Sequence, residues 1–218
     1  MIALTLACAV ACAALVVAEH RGARAARIAT KLIAAAAFVG VGALAQAQPI
    51  DPGFARIVLV GLILGAVGDG CLLGHGTRWF LAGLVAFLLG HLAYVVAIAT
   101  LEPAGRWPAD AGALAAAPIA VAGVALARLW PRLGRLRGAV IGYVAAITAM
   151  VIAAVAAWRA DALPAPQAGR LALGAALFFA SDLAVARDRF VGKQFVNKAW
   201  GLPTYFAGQL LFAWAIAR

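Results

Sequence analysis

Long apolar stretches, broken by short clusters of Arg, Pro, Gly and Asp, run the whole length of the chain. They form eight segments, 1–18, 28–46, 56–73, 78–100, 112–130, 138–158, 169–186 and 199–217. Each holds roughly the 20 apolar residues a helix needs to cross a bilayer. In lipid every backbone N–H and C=O must find a partner within the protein, which single runs this long achieve only as helices. Barrel strands would instead alternate over about ten residues. The pattern predicts an all-α, polytopic membrane helical bundle of about eight transmembrane helices, forming one domain over 1–218. The short connections leave no room for an extramembrane domain.

Composition strengthens this picture. Hydrophobic residues make up 66% of the 218 and charged residues 12%, where an ordinary soluble domain carries roughly 25% charged residues. A water-soluble monomer is excluded. Cys8, Cys12 and Cys71 all lie in apolar stretches, so neither a disulfide framework nor a zinc site is implied. A nucleophile elbow, HExxH, P-loop and GxGxxG are all absent, and the single serine, Ser181, has no histidine beside it. No metal or cofactor is expected.

The charges predict orientation. No Lys or Arg precedes the first segment, whereas Arg21, Arg24 and Arg27 follow it, the order of a retained span rather than a signal peptide. Thirteen of the 18 basic residues fall after spans one, three, five and seven, Lys31 and Lys198 among them. By the positive-inside rule these face the cytoplasm and both termini face out. They are spread over short loops with no binding module between them, so nucleic acid is not an expected partner, whereas membrane lipid is. The Ala, Gly and Arg bias suggests a bacterial inner membrane. Each half, 1–109 and 110–218, holds four spans with a basic loop after the first. Arg56–Asp69 also resembles Arg170–Asp182, a pattern compatible with a parallel repeat about the membrane normal.

Six of the eight acidic residues, Glu19, Asp51, Glu102, Asp110, Asp161 and Asp188, lie in loops or at span ends, where solvation accounts for them. Asp69 and Asp182 lie within spans. A carboxylate there costs about 3 kcal/mol unless it is protonated, paired or facing a cavity, which makes both functional candidates. Each precedes a cytoplasmic loop by about five residues, or roughly 8 Å, which predicts one shared layer. Lys31 joins that layer from span two, either snorkelling to head groups or serving the site. Tyr205 joins it from span eight, with Gln209 at i+4 on the same face. His91 and Tyr94, at i and i+3, lie deeper on span four. A lone His91 reads more readily as hydrogen-bonded structure than as an acid or base, and both tyrosines also fit interfacial aromatics. Asn197 is placed to cap the last helix. Gly61/Gly65 and Gly70/Gly74 have the small-xxx-small spacing of close helix packing.

Of two carboxyl groups sharing a low-dielectric site, one can stay protonated at neutral pH while the other ionises. That division supports acid–base hydrolysis. Intramembrane Asp and His also serve proton relays, so a proton-coupled carrier of a lipid or small amphiphile is the alternative.

These residues resemble the YhhN family of integral membrane proteins. The likeness runs through Gly68-Asp69 with Leu72, Phe87-Leu88-Leu89-Gly90-His91-Leu92-Ala93-Tyr94, Ser181-Asp182, and Pro203-Thr204-Tyr205-Phe206-Ala207-Gly208-Gln209. Thr30-Lys31-Leu32 departs from a frequent Lys-Pro pair, and Gly208-Gln209 from a common Ala-Gln. The resemblance implies an eight-span hydrolase cleaving the vinyl ether bond of lysoplasmalogens, with a lysophospholipid as substrate and no cofactor. The products would be a fatty aldehyde and glycerophosphoethanolamine or glycerophosphocholine. Asp69 and Asp182 would then be the catalytic acid and base, in either order. Lys31, His91, Tyr94, Ser181, Asn197, Tyr205 and Gln209 would bind substrate or support the pair.

Overall fold

The computed structural model describes residues 1–218. It is helical throughout: α1 (Ile2–Arg21), α2 (Arg24–Ala45), α3 (Pro52–Cys71), α4 (Thr77–Ala99), the short α5 (Trp107–Ala111), α6 (Ala116–Leu129), α7 (Arg137–Arg159), α8 (Ala165–Phe190) and α9 (Phe195–Ala215). Local chemistry sets several boundaries. Gly22 ends α1 in a left-handed conformation, and the N–H groups of Gly22 and Ala23 close on the carbonyls of Glu19 and Ala18. Asp51 caps α3 by accepting from Phe54 N at 2.7 Å, with Pro52 in the first turn.

The fifth predicted segment is helical in pieces. It opens at Gly112, φ 53, which divides the preceding α5 from a 3-10 turn leading into α6. At the other extreme, α8 outruns its predicted end at 186 and reaches Phe190, with Arg187 and Arg189 in a last turn whose exposed carbonyls favour cations.

Seven helical stretches are long and apolar enough to cross a membrane, and the chain is an integral membrane protein. The stretch outside that set is α9, which carries Asn197, Lys198, Thr204 and Gln209. Its 21 residues still extend about 30 Å. At one end Lys198 meets Asp188 of α8 at 3.4 Å. At the other, Ile216 O accepts from Ile50 N, in the α2–α3 connection, at 2.8 Å. Thus α9 traverses the full height of the bundle, shielded by α1, α2, α3 and α8.

Six helices close a ring in the order α2, α3, α4, α7, α8, α9 and back to α2. Outside it, α1 packs on α2 and α9, and α6 packs chiefly on α7. Lipid tails are as apolar as the helices, so association depends on close packing and hydrogen bonds. Two crossings show this. A Cβ on Gly90 would sit 3.3 Å from Gly61 O, fixing α3 against α4, and one on Gly208 would sit 3.0 Å from Gly174 O, fixing α8 against α9. The predicted Gly70/Gly74 pair has no such role: Gly70 faces open space and Gly74 lies under the Trp79 ring.

Both termini reach the same end of the bundle, where Trp214 Nε1 donates to Thr5 Oγ1 at 3.0 Å. One loop acid is not solvated as expected. Glu102 is 4% exposed, and the cation beside it is Arg106, with Nε 3.4 Å from its Oε1.

Candidate functional site

Every helix of the ring contributes a polar or aromatic side chain to its interior. Asp69, in the last turn of α3, is 2% exposed. Its Oδ1 lies 3.1 Å from Lys31 Nζ on α2, and its Oδ2 accepts from the Tyr205 hydroxyl on α9 at 2.8 Å. The Tyr205 oxygen in turn accepts from Gln209 Nε2 at 3.2 Å, and Gln209 Oε1 accepts from the Tyr94 hydroxyl of α4 at 2.6 Å. A directed chain from Tyr94 through Gln209 and Tyr205 therefore ends on a carboxylate that also faces an ammonium. A buried ion pair offsets its desolvation only with added hydrogen bonds of this kind. The α3 glycines make room for them, since a side chain at Gly61 would strike the Tyr94 ring and one at Gly65 the Gln209 amide. Lys31 is buried and paired, which settles the alternative of snorkelling to head groups and removes it from the loop charges.

Asp182, on α8, is placed differently. Its Oδ2 accepts from the Tyr143 hydroxyl of α7 at 2.7 Å. His91 Nε2, on α4, lies 3.8 Å from the same oxygen, beyond hydrogen-bond range. Neither ring nitrogen of His91, which is fully buried, has a hydrogen-bond partner, contrary to the expectation of hydrogen-bonded structure. The ring is held by aromatics instead, with centroids 4.6 Å from Phe178 and 5.1 Å from Tyr143. No Lys or Arg pairs with Asp182, and its side chain is 16% exposed.

Aromatic rings pack beside both groups. Phe178 and Phe87 stand edge-on to Tyr205 at 5.2 and 5.8 Å. Both carboxylates line one mostly apolar cavity of about 140 Å³, and the Lys198–Asp188 pair lines it as well. Helix ends correct the predicted equal spacing: two residues of α3 follow Asp69, whereas eight of α8 follow Asp182. The cavity nonetheless unites them.

Six expected residues line it: Lys31, Asp69, Ser181, Asp182, Asn197 and Tyr205. His91, Tyr94 and Gln209 stand behind it, and the two tyrosines are buried rather than interfacial. Ser181 Oγ donates to Phe178 O at 2.7 Å within its own helix. Asn197 is no cap. It lies inside the first turn of α9, which Gln194 precedes, and its Nδ2 donates to Gly192 O at 3.1 Å. The residue that sequence reasoning missed is Tyr143. It is one of only three tyrosines in the chain, and it sits near the start of α7, where a tyrosine also suits the membrane interface.

Residues 3–216 match the YhhN family. The chain is 32% identical over 164 residues to the Bos taurus protein named Lysoplasmalogenase TMEM86A, covering 72% of this chain and 63% of that one. It is 36% identical over 178 residues to the Lysoplasmalogenase of Mycobacterium tuberculosis, covering 78% and 64%. The chain thus spans a little under two thirds of the length of these relatives. No solved structure matches it.

Proposed function

The chain belongs to the YhhN family, and from that membership and its two unlike carboxylates we propose a membrane hydrolase that opens the vinyl ether bond of lysoplasmalogens. The products are a fatty aldehyde and a glycerophosphoethanolamine or glycerophosphocholine. The observation that carries the mechanism is the asymmetry of the pair: Asp69 faces the Lys31 ammonium, while Asp182, on the same cavity, has no cation. Two carboxyl groups whose surroundings differ in this way take different protonation states and roles.

Asp182 is the acid. It gives its proton to the alkene carbon distal to the ether oxygen, and the C=C electron pair forms the new C–H bond, leaving an oxocarbenium ion. Asp69, held anionic by Lys31 and Tyr205, stabilises that positive charge across the cavity. Water adds to the oxocarbenium carbon and loses its proton to the Asp182 carboxylate, which restores the acid. The resulting hemiacetal collapses, moving its hydroxyl proton to the departing glycerol oxygen. One water is consumed, and the phosphate ester is untouched.

The basic loops gather at the end of the bundle where Lys198 and Asp188 line the cavity. The positive-inside rule sets that end among cytoplasmic head groups, with both termini outside. A single-chain lipid with a polar head matches an apolar cavity that reaches this depth. A proton-coupled carrier has less support, because the hydrogen-bonded chain stops at Tyr94, stacked on Phe212 at 4.0 Å, rather than continuing to the far face.

The test is aldehyde release from lysoplasmenylethanolamine by purified protein in detergent, followed by mass spectrometry. Loss of the acid in Asp182→Asn is expected to lower the rate by about 10²–10⁴-fold, and Asp69→Asn to lower it as well, with the folded protein retained. Undiminished release by both variants would rule out the pair.

A further inference from the structure

The cavity is too small for the molecule it is proposed to process. Sites that enclose a whole small ligand have volumes of about 300–1,000 Å³, against about 140 Å³ here. Only the reacting segment of a lysolipid fits, so the remainder must lie elsewhere. A groove of about 800 Å³ adjoins the cavity, and Ala125 and Leu129 of α6 with Leu183 and Ala186 of α8 line both. The groove lies between α6 and α8. There α8 meets the α6 end only near Leu129, where Ala186 and Phe190 join the same small apolar cluster, and only 11% of the apolar stretch containing α6 is buried. Only these small and aliphatic side chains stand between the ring interior and the groove.

The groove is amphipathic along its length. Ala120, Val121 and Val124 line one part, while Arg128, Arg132 and Arg187 line the part level with the helix ends. None of the three arginines pairs with a carboxylate, whereas Lys31 and Lys198, on the cavity itself, are neutralised by Asp69 and Asp188. Orientation in the membrane requires basic residues at this end but does not require three of them, from two separate elements, to face one apolar groove. Two neighbouring basic groups are engaged elsewhere: Arg137 lies over Trp130 at 4.7 Å and Arg189 over Phe80 at 4.4 Å. The carbonyl ends of α6 and α8 disfavour an anion here, but by less than one charge-assisted hydrogen bond from an arginine returns.

We infer that a single-chain phospholipid reaches the cavity sideways from the bilayer between α6 and α8, with its phosphate held by Arg128, Arg132 and Arg187. The hydrocarbon chain lies along Val121 and Val124, and the glycerol-linked double bond passes between Ala125 and Ala186 to Asp182. The identity of the lipid as a lysoplasmalogen rests on the hydrolase reading, whereas the phosphate site does not.

Binding separates the two. Native mass spectrometry of the full chain measures its affinity for lysophosphatidylethanolamine, which has no vinyl ether and is not cleaved, and for the matching monoacylglycerol, which has no phosphate. Wild type is expected to prefer the phospholipid by about tenfold or more. Combined Arg128→Gln, Arg132→Gln and Arg187→Gln should abolish the preference. The same charge removed by Arg21→Gln, Arg24→Gln and Arg135→Gln should leave it. Loss of preference in both triple variants would show a general field effect and overturn the site, as would its retention in the first. Displacement of the lipid by millimolar inorganic phosphate would overturn the lipid as occupant. If wild type binds with this preference yet releases no aldehyde from any vinyl ether lipid, the hydrolase reading fails and the phosphate site stands.

Discussion

Lys31 and Asp69 illustrate what one buried charge demands of its neighbours. With the ammonium removed, the carboxylate would be left 2% exposed with a single hydroxyl donor. Breaking one side of a buried pair is costly because the other charge stays behind, whereas replacing both with apolar groups of similar volume is often neutral. Lys31→Met is therefore expected to cost about 3 kcal/mol of stability, read by denaturant titration in detergent. Lys31→Met with Asp69→Leu should recover most of it. A double variant no more stable than the single would contradict a closed pair. The two aspartates were legible because a carboxylate in an apolar run has no bland explanation. Their partners were less so, since Tyr143 meets Asp182 only through the packing of α7 on α8, which hydropathy does not encode.

At the level of elements, the crossings decide where the site side chains stand. A side chain at Gly208 would meet the α8 backbone at two atoms, Gly174 O at 3.0 Å and Phe178 N at 3.2 Å. Gly208→Leu should force α8 and α9 apart, separate Tyr205 from Asp69, and yield little folded protein in size-exclusion chromatography. Gly70→Ala is the contrasting case. Nothing lies within 4 Å of the added Cβ, and the helix gains about 1 kcal/mol from alanine, so the melting temperature should hold or rise. Of the two, it is Gly70 that has a glycine four residues on, at Gly74. What separates them is the facing backbone, which belongs to another helix. The same limit applied to α9, whose polar residues depress its hydropathy because they are the ones it brings to the ring.

On the scale of the whole molecule, the two halves place corresponding groups alike. Asp69 is the eighteenth residue of α3 and Asp182 the eighteenth of α8, while Gly61 and Gly174 are the tenth residues of the same helices. Gly90 and Gly208, which face them, are the fourteenth residues of α4 and α9. The packing of α4 on α7 has its counterpart in α9 on α2. These matches support our proposal that 1–109 and 110–218 are parallel repeats that share one site. A chain permuted to begin at residue 110, with a short linker joining Arg218 to Met1, keeps every crossing in its direction. It is expected to melt within a few degrees of the parent, and failure to fold would count against interchangeable halves.

The Lys31–Asp69 pair also bears on how the protein reaches the membrane. An ammonium alone in α2, or a carboxylate alone in α3, costs up to about 3 kcal/mol at the bilayer centre and less towards a helix end, and each offsets the other only when both helices are present. The two segments are joined by residues 46–51, a connection short enough for them to leave the translocation machinery as a hairpin. A nascent chain cut after α2 would hold an uncompensated charge against lipid. Biogenesis of the first half is thus cooperative by necessity, with the third helix serving as the solvent that lets the second one stay.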